Sequence, residues 1–283
     1  MRTPRPRPGA PTPAPFADRP AGIGDPAPEP PEPIRRLLAH TVPSGAPTPT
    51  SVELRAHGLI RVHRWWCRFE SRQILVPPTA FRWDARVRGP AGIRIDGFDR
   101  LGPDGGAMHW RLFGVLPFVG ASGADVTRSA AGRLAGEFVL LPAFAAHRDV
   151  HWEPVDDTRA RARVAVAGHP HEVTVTVTPS GALASVSLPR WGNPDGGPFR
   201  EHRFTATCEG EVSRGGFLLP SGIRAGWDDA EPFIRYDFDT AEFHRVAPKP
   251  SSGPPATESP TGPVSTGPFG PGHRPGRNSR VEE

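Results

Sequence analysis

The side chains best equipped for chemistry gather in Leu188–Phe199. Arg190 offers a planar fork that can grip a carboxylate or phosphate through parallel hydrogen bonds, and Trp191 beside it offers a stacking face. The string Asn193-Pro194-Asp195-Gly196-Gly197 has two readings. It is either a ligand-holding loop or a plain turn in which Asx side chains cap backbone groups. Arg128 is a second candidate. It stands in the first turn of a helical pattern, where a cation opposes the positive end of the helix dipole. It therefore calls for an anion, whether Asp99, Glu137 or a ligand carboxylate. Trp110, Phe113, Phe118 and Trp227 can face a lipophilic molecule or pack as core. In a catalytic site, Asp99, Glu137 or Asp195 would act as the general base.

Other chemistries lack their residues. His169-Pro-His171 and the pair His147 and His151 find no thiolate or carboxylate set at metal-binding spacing, so neither metal nor cofactor is expected. Nucleophile elbows, Walker loops and dinucleotide fingerprints are absent, and no Ser or Cys stands beside a His with an orienting acid. Cys67 and Cys208 alternate with apolar Phe69 and Ala206 and read as small buried residues.

The net charge is +4, with Lys249 the only lysine. Arg2, Arg5, Arg7 and Arg19 read as a solvated arm. Tryptophans that interleave with arginines on alternating patterns mark an inner and an outer sheet face rather than a stacking surface, so no nucleic-acid partner is expected. No window reaches the roughly 20 apolar residues of a membrane span, and no apolar run follows the N-terminal arginines as in a secretory signal. No membrane insertion and a cytoplasmic location are the expectations. Oligomeric state stays open.

These candidates need a scaffold. Residues 1–33 and 248–283, dominated by Pro, Gly, Ala, Arg, Ser and Thr, bury too little apolar surface to order the backbone and are expected to be disordered. That leaves 34–247 as a single β-rich domain. A short helix is expected at Pro33–His40. Strand patterns with period two follow: Val52–Trp65, Trp66–Val76, Phe81–Arg88, Ile93–Phe98 and Met108–Phe113, joined by Gly/Asp/Pro turns. More follow at Ala162–Val166, Val173–Val177, Leu183–Leu188, Arg203–Val212, Phe217–Trp227 and Phe233–Phe238. Between the two groups lies an apolar loop, Phe113–Gly123, and one long helical pattern from Asp125 to Leu141. Val126, Ala130, Leu134, Phe138 and Leu141 give that helix a single stripe, Asp125 is the expected N-cap, and Gly132 with Gly136 would let it approach the sheet. About eleven adjacent strands cannot lie flat in one open sheet. The expected fold is mainly β (α+β), a curved antiparallel sheet or half-barrel covered by one long and one short helix.

Several strings carry a family likeness: Gly97-Phe-Asp-Arg-Leu101, Gly106-Ala-Met-His-Trp110, Asp125-Val-Thr-Arg-Ser129, Leu188-Pro-Arg-Trp-Gly-Asn193 and Gly222-Ile-Arg-Ala-Gly-Trp227. Over roughly residues 33–245 the chain resembles a bacterial family of unknown function, of actinobacterial type, and that resemblance implies no activity. The expected architecture is also similar to the half-barrel of LolA-type lipoprotein carriers, which hold an acyl group between sheet and helices. A fold does not hand over its function. The functional expectation is a lipophilic, acid-bearing small molecule held between the concave face and the helix, with Arg128 or Arg190 on its polar head. The alternatives are an enzyme using a buried carboxylate, and a structural or interaction module.

Overall fold

The computed structural model describes residues 29–46 and 48–245. The arms expected at 1–33 and 248–283 fall outside these residues, apart from 29–33, which lead into and begin helix α1 (Glu32–Thr41). Six strands then run as consecutive antiparallel hairpins: β1 (Ser51–Val62), β2 (Trp65–Val76), β3 (Ala80–Arg88), β4 (Arg94–Gly102), β5 (Gly105–Leu112) and β6 (Leu116–Ser122). Helix α2 (Ala124–Glu137) and two 3-10 turns, Phe138–Leu140 and Pro142–Ala146, follow. The second meander comprises β7 (Val150–Pro154), β8 (Arg159–Val166), β9 (His169–Val177), β10 (Leu183–Gly192) and β11 (Arg200–Glu209). A small separate hairpin, β12 (Val212–Arg214) and β13 (Phe217–Leu219), precedes β14 (Gly222–Trp227) and β15 (Ile234–His244).

Thirteen strands form one sheet in the order β6-β5-β4-β3-β2-β1-β15-β14-β11-β10-β9-β8-β7. Its edges, β6 and β7, are the strands that flank the helical segment in sequence. Helix α2 therefore crosses the open side of the curl, touching β4, β5 and β6 toward one edge and β8, β9 and β10 toward the other. The result is an antiparallel half-barrel with a helix in its concavity. The period-two pattern decides which residues fill it: Val52, Leu54, Ala56 and Ile60 of β1, with Phe81, Trp83, Ala85 and Val87 of β3, are buried. Helix α1 adds Ile34 and Leu37 against β9 and the second 3-10 turn. Among the described residues no helix is long and apolar enough to cross a membrane.

The differences from expectation have simple causes. Thirteen strands replace about eleven because both edge strands were unread. In β6, Pro117 and Gly120 imitate a loop, yet proline is tolerated on an edge strand, where the missing N–H costs no ladder bond. Strand β7 spans only five residues. Helix α2 ends at Glu137 and not near Leu141. Pro142 has no N–H to return to Phe138, and the Leu141 N–H closes a tighter bond to the Phe138 carbonyl at 3.0 Å. Gly123, not Asp125, is the N-cap residue. The pattern Phe217–Trp227 divides between two sheets, as does Arg203–Val212.

Candidate ligand-binding cavity

Alternation fills the concave face with apolar side chains and also exposes the exceptions. The inward register of β2 includes Ser71 and Gln73 between Phe69 and Leu75, and that of β4 places Asp99 between Gly97 and Leu101. Strand β10 adds Arg190 after Val186 and Leu188, and β15 adds Tyr236, the chain's single tyrosine, between Ile234 and Phe238. Above them α2 contributes Arg133 and Glu137, one turn apart. Polar groups at inward positions cost free energy unless they are paired, and Gln73, Asp99, Arg133 and Glu137 pair with one another or with Trp110.

Arg133 binds both acids. Its Nη1 donates to Asp99 Oδ2 at 3.1 Å and its Nε to Glu137 Oε1 at 3.0 Å. The other carboxylate oxygens are also held, Asp99 Oδ1 by the Trp110 indole N–H at 3.0 Å and Glu137 Oε2 by Gln73 Nε2 at 2.6 Å. The guanidinium of Arg133 lies over Phe81 and Trp83, 5.0 and 4.8 Å from their ring centroids. Gly97 makes the arrangement sterically feasible, since a Cβ there would sit 2.5 Å from the Trp110 ring and 2.4 Å from the His109 carbonyl oxygen. Burial pushes the Asp99 carboxyl above its ordinary range despite the opposing pull of Arg133 and Trp110.

Arg190 is placed differently. Its Nε donates to the Ser129 carbonyl at 3.3 Å, and its guanidinium lies 5.0 and 4.8 Å from the ring centroids of Phe204 and Trp227. Burial, aided by the nearby Arg133 charge, lowers its pKa to about 10. Gly132 of α2 gives its stem room, because a Cβ there would lie 3.0 Å from Arg190 Cγ. Burial also drives the Tyr236 phenol well above its ordinary range and pushes the Cys208 thiol up to about 12.

These groups line a cavity of about 190 Å³ between the concave sheet and α2, walled by apolar side chains such as Ile60, Phe69, Val186, Phe204, Trp227 and Phe238. A side chamber of about 70 Å³ adjoins it and shares Asp99, Met108, Ser129, Arg133 and Arg190. The side chains of Asp99, Arg133 and Glu137 keep 21, 16 and 20 % exposure, onto this space.

Among the residues singled out in the sequence, Asp99, Glu137, Arg190, Asn193 and Trp227 line the cavity. Trp110 stands behind it, fully buried, as the donor to Asp99. Arg128 and Trp191 meet outside. The guanidinium lies 3.8 Å from the indole centroid, Arg128 Nη2 pairs with Glu201 at 2.8 Å, and the Trp191 N–H donates to Asp125 at 2.9 Å. The anion that Arg128 calls for is thus Glu201, and neither Asp99 nor Glu137. Asp195 is exposed in the β10–β11 turn, paired with Arg200 and capping the Gly197 N–H, while Asn193 Nδ2 closes the same turn on the Gly197 carbonyl. Phe113 and Phe118 lie at the exposed β5–β6 end of the sheet, 46 and 39 % accessible. Sequence reasoning missed Gln73, Arg133 and Tyr236; their signal was a polar side chain at an inward strand position or beside the apolar helix stripe. Among the described residues no group of three or more His, Cys, Asp or Glu side chains is placed to hold a metal.

No curated protein matches the chain. Solved structures similar in course include a Vibrio parahaemolyticus domain named for outer membrane lipoprotein sorting, with 7% identity, TM-score 0.40, and coverage of 75% of this chain and 91% of that one. A LolA superfamily protein from Nitrosomonas europaea matches with 13% identity, TM-score 0.36, and coverage of 76% and 93%. A DUF1329 family protein from Desulfovibrio piger matches with 10% identity, TM-score 0.31, and coverage of 75% and 91%. Residues 25–236, most of the chain, match the model of the family of unknown function DUF6544, and the chain belongs to that family.

Proposed function

We propose that the chain is a cytoplasmic binding protein that holds a lipophilic small molecule between its concave sheet and α2. The observation that carries this is the largely apolar cavity between the sheet and α2. Protein interiors pack like organic crystals, and a space of this size between sheet and helix departs from that packing. A guest that fills it takes the half-buried Phe204, Phe233 and Ile234 out of water. Arg190, Asn193 and Trp227 are the proposed contacts, with Trp110 supporting Asp99 from behind.

Native mass spectrometry of the protein taken from the cytoplasmic fraction of its own host tests the reading. The expected spectrum shows the chain plus a guest that organic extraction releases. A bare chain that also takes up no hydrophobic fluorophore overturns the binding function, and recovery from the envelope fraction alone overturns the location.

A second reading is an enzyme that uses Asp99 as general base, favoured by that carboxyl's raised pKa beside the cavity. Both of its oxygens already accept hydrogen bonds from Trp110 and Arg133, which suits a structural anchor better than a proton acceptor. Binding remains the preferred reading.

A further inference from the structure

The two arginines of the cavity are matched unequally. Arg133 meets two carboxylates at 3.0 and 3.1 Å. Arg190 has no carboxylate within ion-pair distance among the described residues; aromatic faces and one backbone carbonyl surround it. Its Nε is engaged, while its Nη1 and Nη2 have no acceptor among the described residues. Both acids near it are already saturated by Arg133, Trp110 and Gln73. A guanidinium brought into an apolar space with its terminal fork unused lacks the anion that normally offsets its desolvation.

Resting on the cavity reading above, we infer that the guest is a compact lipophilic monocarboxylate whose carboxylate docks on the terminal nitrogens of Arg190 and whose apolar body fills the space beside Phe204 and Trp227. Charge selects the head group. Arg133 and Arg190 equal Asp99 and Glu137 in number, so each negative charge a guest brings is in excess; a carboxylate adds one, whereas a phosphate monoester brings about −1.5 to −2 at neutral pH. The excess would lie near Asp99 and Glu137 in a low-dielectric space. Size selects the body. The cavity of about 190 Å³ exceeds the roughly 150 Å³ that admits benzene but is smaller than the ~300–1,000 Å³ of pockets for drug-sized ligands. A medium-chain or single-ring acid fits, and a multi-acyl lipid does not.

The test is titration calorimetry of the delipidated full chain with three probes of equal tail: octanoate, 1-octanol and octyl phosphate. Octanoate is expected to bind about tenfold to a hundredfold more tightly than octanol, the range of a charge-assisted hydrogen-bonded contact, and more tightly than octyl phosphate. Arg190→Gln is expected to remove that preference, so that octanoate and octanol bind the variant alike, and Arg190→Lys, which keeps charge without the fork, to fall between. The wild-type comparison stands alone should either variant fold poorly. Equal binding of octanoate and octanol overturns the head-group assignment and leaves the cavity reading intact. Tightest binding of octyl phosphate overturns the carboxylate, and no binding of any probe overturns both readings.

Discussion

Asp96 and Asp99 lie three residues apart on β4 and have opposite environments. Asp96 faces outward, held by Arg86 at 2.8 Å and Arg94 at 2.7 Å, with those arginines 54 and 49 % exposed. Asp99 faces the cavity, its oxygens divided between Trp110 and Arg133, whose side chain is 16 % exposed. Outward, ion pairs exchange water for a partner at nearly equal free energy. Inward, each charge depends on its neighbours, because removing one strands the others in a low dielectric. The convex face can therefore change its charges freely, whereas the concave cluster stands or falls as a unit.

The largest expected difference between the faces comes from deleting one arginine on each. Arg133→Ala should cost about 3–5 kcal/mol by leaving Asp99 and Glu137 without their cation, and Arg86→Ala should cost at most about 1 kcal/mol. Urea unfolding of the two variants measures this, and equal costs would break the comparison. Gly97→Ala should come next, at about 1–3 kcal/mol, because the added methyl meets the Trp110 ring and the His109 carbonyl. Calorimetric melting, together with the tryptophan fluorescence that reports the displaced indole, checks it.

The smallest effect is one of sign. The Asp99 carboxyl is raised above 3.8 by burial, so its contribution to stability is full below that value and is lost as pH rises through the folded pKa. The Asp195 carboxyl is lowered by the Arg200 side chain and the Gly197 N–H. Its contribution is present above 3.8 and is lost as pH falls through the folded value. Relative to wild type, Asp99→Asn should gain stability with rising pH, while Asp195→Asn should lose it, weakly because Asp195 is about half exposed. Unfolding midpoints from strongly acidic to neutral pH read both slopes, that of Asp195 below about 3.8 and that of Asp99 above it, and slopes of like sign would contradict the assignment.

Much of the scaffold was legible because hairpins and alternation are local. Gly, Asp and Pro turns delimit β1 to β5, and period two separates Trp83 from Asp84 without reference to any partner. The edges were not legible, since Pro117 and the brevity of β7 carry no strand signal in one chain. In the cavity, Arg190 and Trp227 were noticed for their side-chain types. The cluster they face joins residues far apart in sequence: Gln73 reaches Glu137 across 64 positions and Asp99 reaches Arg133 across 34. Single-strand patterns contain no such pairing. Gln73 and Tyr236 did leave a trace, as polar side chains in a register otherwise reserved for apolar ones.

The sheet's middle holds a further consequence. Strand β1 pairs with β15, Ser51 opposite His244 and Ile60 opposite Ile234, so the two ends of the domain meet at the centre of the sheet and not at its rim. Each meander can zip locally, but this seam closes a loop of nearly the whole domain and is the slowest kind of contact to form. The cavity draws walls from both sides of the seam, from Ile60 and Phe69 on one and from Phe204 and Phe238 on the other. Neither half possesses a binding site of its own; the domain acquires one at the moment its first and last strands are stitched together.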